Sequence, residues 1–174
     1  MRRRLRPITA AAVAIMLVAS TLPASAHTRS RQPVVEIATG AVVGTSVAVR
    51  GAGAVTATLR THGLEPGHAY TVWAVIFNDP AHCVDGCDGS DLANPEVGGV
   101  SVLATGGVAR RDHRQFRLRL AGTDGLENPA GAEIHLVVRS HGPAIAGLIG
   151  EQISTLNGGC PPNTCANVLM AKHA

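Results

Sequence analysis

The chain predicts an all-β domain: a single antiparallel β-sandwich with loops braced by disulfides. Three observations carry this. From Val34 onward, short apolar runs alternate with Gly, Pro, Asn and Asp. Two of those runs show strict period-two alternation. Four cysteines come in two tight pairs.

The predicted strands are Val34–Thr39, Ser46–Arg50, Ala54–Arg60, Ala69–Phe77, Gly99–Ala104, Gln115–Leu120, Glu133–Arg139 and Asn167–Lys172. In the sixth, Phe116, Leu118 and Leu120 share one face while Gln115, Arg117 and Arg119 share the other. In the seventh, Ile134, Leu136 and Val138 alternate with Glu133, His135 and Arg139. One apolar and one polar face mean half-buried antiparallel strands. The segment Tyr70–Phe77 is apolar on both faces and is expected at the centre of a sheet. Helix signals are thin: Ala144–Thr155 holds a short turn at most, weakened by Gly147 and Gly150.

The N-terminus predicts export. Arg2, Arg3, Arg4 and Arg6 precede an apolar run from Ile8 to Leu22, then Pro23 and the triplet Ala24-Ser25-Ala26. That order is a secretory signal peptide over residues 1–26, with His27 as the first mature residue. The run is too short to span a bilayer, which takes about 20 apolar residues. Residues 27–33 are polar and are expected to be a flexible mature N-terminus; residues 34–174 form the single β domain. The expected location is secreted or periplasmic, in a bacterium.

Without the leader's four arginines, 11 basic side chains face 12 acids. This near-neutral balance points to neither nucleic acid nor, after signal cleavage, a membrane as partner. Aromatic residues make up only 2% of the chain, which argues against a stacking platform for bases.

In an exported chain an even cysteine count reads as disulfides. Cys83 and Cys87 bracket Val84-Asp85-Gly86, and Cys160 and Cys165 bracket Pro161-Pro162-Asn163-Thr164. The turn-forming residues inside each pair favour two local bridges, among the three connectivities four cysteines allow. A local bridge is worth about 2 kcal/mol and a cross-paired one about 4 kcal/mol, because the closed loops differ in length. A four-thiolate zinc site fits the spacing but not the compartment.

Histidines offer the alternative chemistry. His135 and His141 flank the end of one predicted strand and are the candidate metal ligands, for copper or zinc, with His62, His68 or His82 completing the set. The bland reading of His135 is a surface histidine paired across the sheet. An N-terminal His27 offers an amine and an imidazole on one residue, as in secreted copper proteins. The acids Asp79, Asp85, Asp88 and Asp91 do not follow calcium-loop spacing and read as a solvated loop. Ser140-His141 are adjacent and point to opposite faces, and there is no G-x-S-x-G elbow, so no catalytic residue is assigned.

The turn Gly63-Leu64-Glu65-Pro66-Gly67-His68 resembles that of copper/zinc superoxide dismutases and related extracellular sandwiches. The resemblance implies a superoxide-dismutase-like Greek key, with an immunoglobulin-like order as the other choice. It implies no metal site, because the strand Ala69-Tyr70-Thr71-Val72-Trp73-Ala74-Val75 lacks the family's histidine pair. The segments Gly125-Leu126-Glu127-Asn128-Pro129, Ala132–Pro143 and Gln152–Pro162 resemble a family of uncharacterised exported bacterial β proteins. That likeness implies compartment and architecture and no activity. The expected function is a non-catalytic binding or structural module without a cofactor, and the alternative is a histidine-based copper or zinc protein.

Overall fold

A computed structural model describes residues 28–174; the expected signal segment 1–26 and His27 lie outside the described residues. The strands are β1 (Thr28–Glu36), β2 (Val42–Arg50), β3 (Ala54–Thr61), β4 (His68–Phe77), β5 (Gly99–Val108), β6 (Arg114–Ala121), β7 (Glu133–Pro143) and β8 (Ala166–His173). A four-residue helix, α1 (Ile149–Gln152), is the only α-helix among the described residues. Seven of the eight expected strands are present and extended by a residue or more; the first, expected over Val34–Thr39, instead ends at Glu36 and begins at Thr28, with 37–39 in the turn to β2.

All strands join one antiparallel sheet in the order β5-β4-β7-β8-β1-β2-β3-β6. The sheet divides at β1–β8, where only Val35–Met170 and Glu36–Leu169 pair. At the other end β5 and β6 come against each other without a ladder, so the sheet is nearly closed. The two halves are therefore β1-β2-β3-β6 and β5-β4-β7-β8.

Both halves contribute to one core. Val34, Val55, Leu59, Phe116 and Leu120 come from the first, and Val72, Ile76, Ile134, Leu136 and Leu169 from the second. Burying these side chains supplies the main driving force, at about 25 cal/mol per Å² of apolar surface. Alternation places them inward because successive strand residues face opposite ways.

The expected flexible segment 27–33 is corrected by the sheet. Residues 28–33 form the first two-thirds of β1 and pair with β2 from Thr28–Arg50 to Pro33–Thr45. The signal was hidden because neither face is apolar: Arg29 and Arg31 point outward, and Ser30 and Gln32 point toward the interior. His27 itself lies outside the described residues.

β4 sits between β5 and β7, as its two apolar faces predict. Its second face is covered by two loops. The loop between β4 and β5 packs Val97 and the Cys83–Cys87 disulfide against Phe77 and Val75. The loop between β7 and β8 carries α1 and the Cys160–Cys165 disulfide. It lies directly on β5, where a Cβ at Gly106 would fall on the Ile153 carbonyl. The outer face of the other half has no such cover.

Candidate binding face and the buried histidines

β7 places His135 and His141 six residues apart, roughly 20 Å along a strand, so they do not share a site. Both are buried, and both are engaged.

His135 is 4% exposed. Its ring packs edge-on to Phe77 at 5.0 Å, and Nε2 donates to Glu133 Oε1 at 2.6 Å. Burial lowers its pKa; the Glu133 hydrogen bond opposes that shift. The surface-pair reading of His135 is corrected: the β4–β5 loop covers this face, which period-two alternation alone marks as solvent-exposed.

His141 is fully buried beneath the second loop. Its Nδ1 lies 3.0 Å from the Gly158 carbonyl, which only accepts, so Nδ1 carries the proton. Nε2 then accepts from Thr71 Oγ1 at 2.9 Å, and Thr71 in turn accepts from Trp73 Nε1 at 3.0 Å. Burial lowers the pKa of this imidazole, against the Gly158 hydrogen bond.

A third buried histidine escaped the sequence reading. His173 hydrogen-bonds Ser30 Oγ at 2.9 Å and Ser46 Oγ at 2.8 Å, joining β8 to β1 and β2. Burial, with the Arg50 charge nearby, pushes its pKa down to about 4. Arg50 is itself buried and donates to the carbonyls of His173 and Pro129, both at 3.1 Å.

The remaining histidines of the candidate metal set are apart from these. His68 pairs with Glu65 at 3.0 Å, His82 pairs with Asp79 at 3.1 Å, and His62 is exposed. Among the described residues one trio of ligand-type atoms converges, His141, Cys160 and Cys165, all within 4.8 Å of one another. Its two sulfurs are bonded to each other, so they present no thiolate, the form that ligates metal. The local disulfide pairing expected from the turns is the one found.

The acidic loop is part structural. Asp91 is buried and caps a short 3₁₀ turn, accepting from the Asp88 backbone N–H at 2.9 Å.

The exposed chemistry lies on the uncovered half. Across β1, β2, β3 and β6 the register builds three rows on the outer face. They read Arg29–Val49–Thr56–Arg119, Arg31–Val47–Thr58–Arg117 and Pro33–Thr45–Arg60–Gln115. All five arginines are exposed, and no acid stands in any row. Arg60 Nε donates to Gln115 Oε1 at 2.8 Å, which fixes its direction across the face. Two arginine edges about 14 Å apart, three strand spacings, flank a floor of Val and Thr. Among the described residues no arginine or lysine has a carboxylate within 4.0 Å.

The β5–β6 turn extends this surface with Arg110, Arg111, His113 and Arg114. Eight of the ten arginines in residues 28–174 therefore lie on or beside one face; Arg50 and Arg139 do not. The near-neutral net charge concealed this segregation. Sequence alternation revealed Arg117 and Arg119, but Arg29, Arg31 and Arg60 join them only through strand register. Compared with known proteins, the chain matches no family model, no curated protein and no solved structure.

Proposed function

We propose that this chain is an exported bacterial β-sandwich with a superoxide-dismutase-like Greek key, and that it acts as a non-catalytic binding module for acidic polysaccharides. The observation that carries the reading is the arginine face of β1-β2-β3-β6: five exposed guanidinium groups with no acid among them. Exposed like charges repel one another and contribute nothing to the fold, so a face of this kind suits an anionic partner. Planar guanidinium groups grip carboxylate, sulfate and phosphate through paired hydrogen bonds.

The floor selects among polyanions. It presents no aromatic ring for base stacking and no protruding large apolar side chain for insertion into lipid. Thr45, Thr56 and Thr58 supply hydroxyls for sugar hydroxyls, and the trough is about 480 Å³. Two disulfides fit an oxidising compartment, and no helix among the described residues is long and apolar enough to cross a membrane. The strand order and the two-pair seam at β1–β8 support the sandwich reading over a continuous barrel.

The test is retention on immobilised heparin, a sulfated polysaccharide. The protein should bind at low salt and elute earlier when Arg31, Arg117 and Arg119 are changed together to Gln. Each neutralised contact should flatten the salt dependence. No retention in dilute buffer, or equal retention of the triple variant, overturns the reading. Stronger binding to anionic vesicles or to single-stranded DNA also overturns the polysaccharide assignment.

A further inference from the structure

The β5–β6 turn forms an open cavity of about 560 Å³ at the place where the two end strands meet. It is lined by Val108, Arg110, Arg111, His113, Arg114 and Gln115, with no carboxylate among them. The only acid of the turn, Asp112, is already engaged: its side chain pairs with His113 at 3.0 Å, and its carbonyl accepts from Leu64 N–H at 2.9 Å.

Arg114 is the least ordinary member. Its guanidinium lies over Gly107, where any side chain would collide with it, and donates to the Val108 carbonyl. It also stands 5.0 Å above the Phe116 ring. Yet its Nε is buried without a hydrogen-bond partner, the one such side-chain atom among the described residues. A cationic group with a buried unpaired donor is costly, and an oxyanion in the cavity that Arg114 lines supplies the opposite charge. Burial, with the repulsion of Arg110, disfavours the charged form of Arg114, which an anion would relieve.

From this geometry we infer that the β5–β6 turn is a binding site for a tetrahedral oxyanion, a sulfate or phosphate monoester group, held by Arg110, Arg111 and Arg114. The inference rests on the polysaccharide reading and sharpens it: the partner's charge is an ester of sulfate or phosphate at this end of the face. Carboxylate is the weaker ligand, because a flat two-oxygen group cannot satisfy three guanidinium groups from different directions. Gln115 lines the cavity and accepts from Arg60, so the site is continuous with the trough.

The test is titration of the disulfide-bonded protein with sodium sulfate, sodium phosphate and sodium acetate in turn. Ionic strength is held constant with chloride, and arginine Nε–H and turn amide signals are followed by NMR. Saturable shifts at Arg110–Arg114 with sulfate or phosphate, and weaker ones with acetate, are expected. Which of the two saturates at lower concentration identifies the ester. The variant Arg110→Gln/Arg111→Gln should weaken binding at least ~10-fold, the loss of a charge-assisted pair. The variant Arg117→Gln/Arg119→Gln should leave this affinity within about twofold while shortening heparin retention, since neither side chain lines the turn cavity. Linear, non-saturating shifts, or an unchanged affinity in the turn variant, overturn the site. If that happens while heparin retention persists, the polysaccharide reading stands without it. If sulfate saturates but heparin is not retained, the site stands and the polysaccharide reading falls.

Discussion

Thr71 Oγ1 lies 2.9 Å from His141 Nε2 in full burial, and this bond joins β4 to the β7 residue on which the second disulfide loop is seated. The hydroxyl accepts from Trp73 and donates to His141, and His141 Nδ1–H donates to the Gly158 carbonyl. Each hydrogen bond in the relay has a fixed direction, set by the Trp73 N–H at one end and the Gly158 carbonyl at the other. Thr71→Val removes the link and leaves the buried His141 Nε2 and the part-buried Trp73 Nε1 without this partner. It should cost about 1–3 kcal/mol in urea unfolding of the oxidised protein, whereas Thr71→Ser should cost less. A valine variant as stable as the parent would show that the relay contributes nothing.

Acid should weaken the fold. Burial holds His135, His141 and His173 below the ordinary histidine value of 6.5, with His173 at about 4. The folded state therefore takes up protons less readily than the unfolded chain. Stability is full above pH 6.5 and is lost as pH falls toward 4, with His173 alone worth roughly 3 kcal/mol. Unfolding curves collected at pH 7, 5.5 and 4.5 should show this decline. His173→Gln should flatten it.

Gly106 carries the contact between β5 and the α1 loop. Gly106→Ala sets a Cβ against the Ile153 carbonyl oxygen and neighbouring backbone, which has no rotamer to change. The loop must lift, with a loss of about 1–3 kcal/mol. Hydrogen exchange should locate the effect: amides from Ile149 to Ile153 should lose protection, while those of β1-β2-β3-β6 keep theirs. Uniform loss across both halves would contradict this.

The two disulfides close short loops, and each should contribute about 2 kcal/mol through the unfolded chain. Cys83→Ala/Cys87→Ala also disturbs a packed contact, because Cys87 is buried against Phe77 and Val97. Cys160→Ala/Cys165→Ala removes a sulfur that lies 3.3 Å from His141 Nδ1. Thermal melts of both pairs should fall, and neither change should alter heparin retention, since both bridges sit on the opposite half.

The strands were legible because alternation and turn residues are local signals. Where the reading missed, distant segments decided the outcome. His135 and His141 occupy the polar positions of an alternating strand, and nothing within β7 shows that residues 78–98 and 144–165 fold over them. The strand content of residues 28–33 was masked because Ser30 faces His173 rather than an apolar neighbour. The arginine face was half visible: Arg117 and Arg119 stand out on one strand. The register that sets Arg29, Arg31 and Arg60 beside them is a property of the folded sheet.

The seam between β1 and β8 bears on how the chain is made. Val35 pairs with Met170, and Ser30 and Ser46 wait for the His173 imidazole. Synthesis delivers residues in order, so an early hairpin of β1 and β2 must remain soluble with one flank open until the last strand emerges. Closure is a late, long-range event of the slow kind that distant pairings impose. A ribosome still holding residues 166–173 holds an incomplete sheet, and the open β1 edge is what a chaperone would have to shield.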